Sequence, residues 1–393
     1  MNVSRISIVL LAFALTAAGC GKKQEQKLGL QPGEKQAAAA PGRSIEEATA
    51  AAVAFLKGHQ NDDGSFGTEI HDVGITGMTL YGIAADPGDP HGPQAAQPDV
   101  KQILDKGAAF LLANVQDDGA INNEPPMLAI YRTSLAVLAL NAIDAEKYKE
   151  TIENAQKFLT GGQLSETNGN FNPQSWEYGG WSYPSSPEKM GKIEPDLSNL
   201  QFAISALKES GLPDDAEAYR RALAFIQRCQ NRSESNDQKN VGNDGGGYYS
   251  PKESKAGPVT LADGTTVYKS YGSMTYALLK SYIFCGVGKD DPRVQAAYDW
   301  ITQHYSIDEN PGMGQMGLYY YYISMARALA AMGVDEVKTG DGRTHDWRAE
   351  LSGKIISLQA SDGSWANKAD RWMEGDPTLV TGYALATLNL CRK

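Results

Sequence analysis

Acid–base catalysis needs carboxyls in unlike environments. Nucleophilic or metal chemistry needs Cys, His or Ser set against a partner. Adjacent carboxylates occur at Asp62-Asp63, Asp117-Asp118, Asp214-Asp215 and Asp290-Asp291. Each pair lies in a loop or at the start of an amphipathic stretch, where solvation and helix capping account for it. Asp196 and Asp376 are different, because each opens a long run of small and apolar residues and each follows a glutamate by two positions, Glu194 and Glu374. An acid there is an N-cap or a general acid in a poorly solvated site. Capping is the simpler account, and Asp196 and Asp376 are the candidate catalytic residues. The five histidines, His59, His71, His91, His304 and His345, sit singly, with no metal-ligand spacing. Cys229, Cys285 and Cys391 lie in or at the end of apolar stretches and read as buried free thiols. Asn243–Gly247 has the glycines of a phosphate loop but neither the Lys-Ser/Thr nor a following helix. No hydrolase elbow or Cys–His pair is visible. We expect no cofactor and no metal.

The elements that must position these residues follow from composition and repetition. The chain has 393 residues and a net charge of -11, against the basic face a nucleic-acid partner requires. Glycine numbers 41, about a tenth of the chain against a usual ~7%, without the period of collagen. Residues 1–20 carry Arg5, the apolar run Ile6–Ala18 and then Gly19-Cys20, the pattern of a secretory signal too short to span a bilayer. Ala17-Ala18-Gly19-Cys20 resembles the bacterial lipobox, which implies lipidation of Cys20 and a membrane partner through that anchor. Residues 21–43 are a polar, low-complexity linker, and the folded domain spans 44–393.

A repeat covers that domain. Phe55-Leu56 precedes Gln60 and Gly64-Ser65-Phe66. Phe158-Leu159 precedes Gln163 and Gly180-Trp181. Phe225-Ile226 precedes Gln230 and Gly246-Gly247-Tyr248. Weaker copies place Gln116 before Gly119, Tyr305 where a glutamine would stand, and Gln359 before Gly363-Ser364-Trp365. Between the copies run segments rich in Ala, Ser, Thr and Leu and poor in charge, starting with cap-like Asp72, Asp196, Ser273 and Asp376. Gly211, Gly286 and Gly333 stop three of them. A helix that is small or apolar on most faces is buried, whereas the repeat helices carry charge on one face. The pattern is outer helix, glycine–aromatic loop, inner helix, about six times. The expected fold is all-α, an (α/α)6 toroid of six outer–inner hairpins.

The Phe-Leu-x-x-x-Gln-x-x-x-Gly-x-aromatic pattern, in register over Phe55–Phe66 and in its second half over Gln359–Trp365, resembles the repeat of squalene–hopene and oxidosqualene cyclases. Protein prenyltransferase β-subunits share that toroid. The resemblance covers residues 44–393. It implies that the repeat glutamines and aromatics tie neighbouring repeats together. It also implies signatures that the sequence lacks: the Asp-x-Asp-Asp of the cyclases, the Asp-x-Cys and distant His of the prenyltransferases, and the Cys-Gly-Glu-Gln of complement-type thioester domains.

In a toroid the inner-helix N-termini converge on one mouth, where their partial positive charge favours polar or anionic ligands. Asp72, Arg132, Asn199, Tyr271 and Tyr319 fall at those starts, and the overhanging loops add Trp181 and Trp372. These seven are the candidate binding residues. Acids, bases and aromatics around one concavity suit a polysaccharide, lipid or protein ligand. The expectation is a cell-envelope lipoprotein that binds a ligand or partner at this mouth. A divergent terpene cyclase or a polysaccharide lyase or hydrolase is the alternative, so enzymatic activity is left open.

Overall fold

The computed structural model describes residues 42–69, 72–84, 97–124, 126–183 and 193–392. The signal, Cys20, the linker up to residue 41, His71 and His91 lie outside the described residues.

Among the described residues twelve α-helices alternate between two layers. The outer layer consists of α1 (Ile45–His59), α3 (Pro98–Ala113), α5 (Lys149–Gly161), α7 (Glu217–Arg228), α9 (Pro292–His304) and α11 (Trp347–Ser357). The inner layer consists of α2 (Val73–Ala84), α4 (Ala129–Asp144), α6 (Leu197–Glu209), α8 (Gly272–Phe284), α10 (Leu318–Met332) and α12 (Pro377–Cys391). Charge patterning separates the layers. Outer α5 buries only Ile152, Ala155, Phe158 and Leu159, whereas every residue of inner α2 is buried. The inner helices pack in the order α2, α4, α6, α8, α10, α12 and back to α2, so the ring closes. Two small antiparallel hairpins interrupt the connections: β1 (Pro258–Thr260) with β2 (Thr266–Tyr268), and β3 (Glu336–Lys338) with β4 (Thr344–Asp346).

Caps set the helix starts. Ser44 and Glu47 form a capping box on α1, and Asp291 and Asp376 cap α9 and α12, each with proline at the first turn. Ser273, expected to be a cap, lies inside α8. Tyr271 occupies the N-cap without a side-chain bond, and Asn310 Oδ1 instead accepts from the Ser273 amide at 2.9 Å. A residue of another connection does the capping, which local sequence cannot reveal.

The repeat glutamines are inter-repeat ties. The Nε2 groups of Gln60, Gln163, Gln230 and Gln359 donate to the carbonyls of Ile103, Ala218, Arg293 and Ala48, each on the next outer helix. Each also holds its own loop through the carbonyl of Gly64, Gly179, Gly245 or Gly363. Those glycines have positive φ, and a Cβ on Gly179 would lie 1.9 Å from the Arg221 carbonyl oxygen. Only glycine allows that loop to lie against the next helix. Gln116 departs from the set, bonding only Asn114 and Asn122 of its own turn. Tyr305, in the glutamine position, reaches the next outer helix through its hydroxyl, 3.0 Å from Glu350 Oε2.

The seam between last and first repeats uses the same device. Gln359 grips α1, Asn389 donates to the Gly82 carbonyl at 3.0 Å, and Thr68 donates to Asp376 through both its amide and its hydroxyl. Gly82 and Gly382 face each other here, and a Cβ on Gly82 would sit 2.3 Å from the Gly382 carbonyl oxygen.

Candidate functional site

Among the described residues the outer-to-inner connections gather at one end of the ring, and three of them bond the start of a neighbouring inner helix. Asn123 accepts from the Val73 amide, the Tyr249 carbonyl from the Leu197 amide, and the Pro311 carbonyl from the Gly272 amide. This end is the mouth. Half-buried Tyr131, Tyr183, Ser198, Tyr249 and Tyr320 surround it, with buried Asp196 and Tyr271 beneath.

Asp196 is 1% exposed and caps α6. Oδ1 accepts from the Asn199 amide at 2.8 Å and Oδ2 from Asn199 Nδ2 at 2.9 Å. The hydroxyls of Tyr183 and Tyr249 bond each other and face the same carboxylate. Burial pushes the Asp196 carboxyl up to about 6, although these four donors pull the other way. The carboxyl therefore changes charge near neutrality while remaining hydrogen-bonded. Asn199 is buried and its Oδ1 has no hydrogen-bond partner, leaving an acceptor beside the acid.

A second acid belongs to this end. Glu374, 1% exposed, accepts from the Tyr320 amide at 2.8 Å and from Asn367 Nδ2 at 2.7 Å, so it covers the N-terminus of α10. Burial raises its carboxyl to about 7 against the pull of Asn367 and the α10 amides. Tyr320 links the two acids. Its amide binds Glu374, while its hydroxyl bonds Ser198 Oγ at 3.0 Å and accepts from Gln201 Nε2 at 3.2 Å. Phe202 packs edge-on against Tyr131 and tilts toward Tyr320, which meets Tyr383, so aromatics cross the ring from α4 to α12.

The other sequence candidates are placed as follows. Asp376 caps α12 and accepts from the Thr378 amide and hydroxyl, the Leu379 amide, and the Thr68 amide and hydroxyl. Burial raises its carboxyl, but those donors outweigh burial and hold it below the usual value, an anion fully occupied by the seam. Asp72 and Arg132 form a buried pair: Arg132 Nε and Nη2 lie 2.9 and 2.5 Å from Asp72 Oδ2, and Asp72 Oδ1 caps α2. Trp181 is fully buried, its Nε1 donating to the Leu159 carbonyl at 2.7 Å. Tyr319 is buried against Tyr322. Trp372 is exposed, with positive φ, and its ring rests against Gly317. Asp196, Asn199 and Tyr271 thus share one neighbourhood; Asp72 and Arg132 form another, and Trp181 packs between layers.

Sequence reasoning missed the participation of Glu374 and, deeper in the ring, Lys280, Gln201, Ser205, Glu209 and Arg327. Lys280 is the one charged residue in Gly272–Phe284. A lone charge in a helix buried on all sides was the available signal. Among the described residues no cluster of His, Cys, Asp or Glu is placed to hold a metal ion, and no helix is long and apolar enough to cross a membrane.

The fold is that of the α/α toroids. The apo type II terpene cyclase MstE from Scytonema superposes with a TM-score of 0.52 at 13% identity, over 88% of this chain and 97% of that chain. The GH76A alpha-1,6-mannanase from Salegentibacter gives 0.54 at 10% identity, over 89% of this chain and 100% of that chain. A possible member of the GH105 family from Salmonella enterica gives 0.50 at 11% identity, over 89% and 94%. At these identities the likeness is one of fold. No family model matches the sequence, and no curated protein matches it.

Proposed function

We propose that the protein is a cell-envelope lipoprotein whose toroid binds a saccharide at the inner-helix mouth, without the chemistry of cyclases or prenyltransferases. The observation that carries this reading is that Tyr183 and Tyr249 present their hydroxyls to the Asp196 carboxyl, with half-buried Tyr131, Ser198 and Tyr320 at the same mouth. Tyrosine faces stack on pyranose rings, and tyrosine, serine and carboxylate oxygens exchange hydrogen bonds with sugar hydroxyls. A polyprenyl chain would find too many hydrogen-bonding groups here. The test is calorimetric titration with envelope oligosaccharides and with polyprenyl alcohols, repeated on Asp196→Asn and Tyr320→Phe. Oligosaccharide binding weakened about tenfold by either change is expected, the size of one lost charged hydrogen bond. Binding of polyprenols alone, or equal affinity in all three proteins, would sink the reading. For the anchor, Cys20→Ala should move the protein from the membrane to the soluble fraction; retention on membranes would refute lipidation.

A second reading rests on a separate observation: Asp196 and Glu374 are both buried acids raised toward neutrality at one mouth. Such carboxyls can donate and recover a proton, as polysaccharide-acting or terpene-cyclising enzymes require. Product formation abolished by Asp196→Asn would replace the binding-only reading with this one.

A further inference from the structure

Below the mouth three charged side chains lie close together, two of them buried and one, Glu209, reaching solvent. Arg327 of α10 pairs with Glu209 at the end of α6, and the Tyr81 hydroxyl of α2 lies 3.3 Å from the same carboxylate. The third charge is Lys280 of α8, 1% exposed. It has no carboxylate partner. Its Nζ donates to Gln201 Oε1 and, at 2.8 Å, to Ser205 Oγ, and stands 5.9 and 5.8 Å from the ring centres of Phe202 and Phe284.

This arrangement is costly unless it is completed. An ammonium has three donors, and here two meet neutral oxygens. The groups acting on it through space are Arg327, which repels it, and Glu209, which Arg327 already occupies. A buried ammonium without an adjacent counter-ion loses solvation that two neutral oxygens only partly replace, so burial disfavours the charged form unless an anion joins it. A leucine or methionine would fill the same volume at no such cost. We propose that Lys280 forms the floor of a binding site for the carboxylate or phosphate of a small organic anion, which would displace the Gln201 carboxamide oxygen from the amine. The approach runs along one hydrogen-bonded row. Half-buried Ser198 bonds the Tyr320 hydroxyl, which accepts from Gln201 Nε2, and Gln201 in turn covers Lys280. Rotation of the Gln201 side chain about its χ angles exposes the amine, and the flanking phenyl rings suit an apolar stem on the anion.

The proposal has a signature that a structural lysine lacks. Burial, with Arg327 adding to it, drives Lys280 well below the ordinary lysine range, and a bound anion would push it back up. An arriving anion restores the ammonium, and the proton comes from solvent. Binding is therefore linked to net proton uptake.

The experiment is isothermal titration of the whole protein at pH 7, 8 and 9 with hexanoate, hexyl phosphate and hexanol, in two buffers of different ionisation enthalpy. Hexanoate or hexyl phosphate should bind with net proton uptake at one or more of these pH values, and whichever binds more tightly identifies the anion. Hexanol should bind at least about tenfold more weakly, without uptake. Lys280→Met should lose the uptake and weaken anion binding by about tenfold or more. Lys280→Gln, which keeps polar contacts to Gln201 and Ser205, serves if the methionine variant fails to fold. Anion binding with unchanged uptake in either variant, or no binding of either anion by the wild type, would overturn the proposal. It stands apart from the reading of the mouth, since Asp196→Asn should leave the proton uptake intact.

Discussion

The glutamine ties give the sharpest forecast. Gln230 is completely buried and fully used: Nε2 donates to the Gly245 carbonyl at 2.9 Å and the Arg293 carbonyl at 2.8 Å, and Oε1 accepts from the Tyr282 hydroxyl at 2.9 Å. Gln230→Leu keeps the volume and strands two carbonyls and a hydroxyl away from water. At about 1–2 kcal/mol for each buried group left unpaired, the change should cost about 3–6 kcal/mol. For a domain of this size that is a fall in thermal midpoint of roughly 5–10 °C. The comparison that tests the reasoning is Gln116→Leu. Gln116 is exposed and bonds only its own turn, so water replaces what leucine removes. Its cost should be below about 1 kcal/mol. Circular dichroism melts of the two variants beside the wild type suffice. Equal midpoints for Gln230→Leu and Gln116→Leu would refute the claim that the inter-repeat bond, rather than the loop conformation, is what the repeat glutamine supplies.

Three further outcomes follow from the same geometry. Because the Asp196 carboxyl rises from 3.8 to about 6 on folding, the folded state binds that proton more tightly, so this contribution to stability is complete below about pH 4 and falls away as pH rises through 6. Between those limits the wild type should lose about 3 kcal/mol more than Asp196→Asn in urea titrations, and parallel pH profiles would contradict the burial argument. Arg132→Met leaves Asp72 buried beside its own helix start without the guanidinium and should cost about 3–5 kcal/mol, most of it recovered in the double variant with Asp72→Asn; purely additive losses would mean the pair is not coupled. Gly179→Ala, whose new Cβ would meet the Arg221 carbonyl, should destabilise by well over 2 kcal/mol, whereas Gly211→Ala, at similar φ with open space around it, should cost about 1 kcal/mol; similar denaturation midpoints would show that φ alone governs both.

The architecture was legible because it is written locally. Charge on one face of Glu217–Arg228 and almost none in Val73–Ala84 distinguishes outer from inner helices without any knowledge of their partners. The glutamine–glycine spacing marks each loop, and Tyr305 stands out as the copy in which another hydrogen-bonding residue reaches across. The site was legible only in part, since its chemistry is made by residues far apart in sequence. Asp196 could be picked out, but its rise toward neutrality comes from burial, against the pull of Asn199, Tyr249 and Tyr183. Glu374 reads as a loop glutamate until the fold sets it on the α10 amides. The Asp72–Arg132 pair joins positions 60 apart, and Ser273 lost its expected cap to Asn310. Lys280 was the missed signal, the lone charge of a helix buried on nearly every face.

The seam between the last and first repeats carries a kinetic cost that the five other junctions do not. Each of those joins segments adjacent in sequence and can form as the chain grows. The bond from Gln359 to Ala48 spans 311 residues, and the carbonyl it seeks is among the first of the helical domain to be made. Closing a flexible loop of that length costs about 5 kcal/mol of chain entropy, but a chain already curved by five hydrogen-bonded junctions delivers its two ends nearly together. Closure is then the last event of folding, and until it occurs an arc presents α2 and α12 as unpaired faces. Their glycines, Gly82 and Gly382, allow an approach too close for any other residue, so one open arc has little chance of mistaking another repeat for its own end.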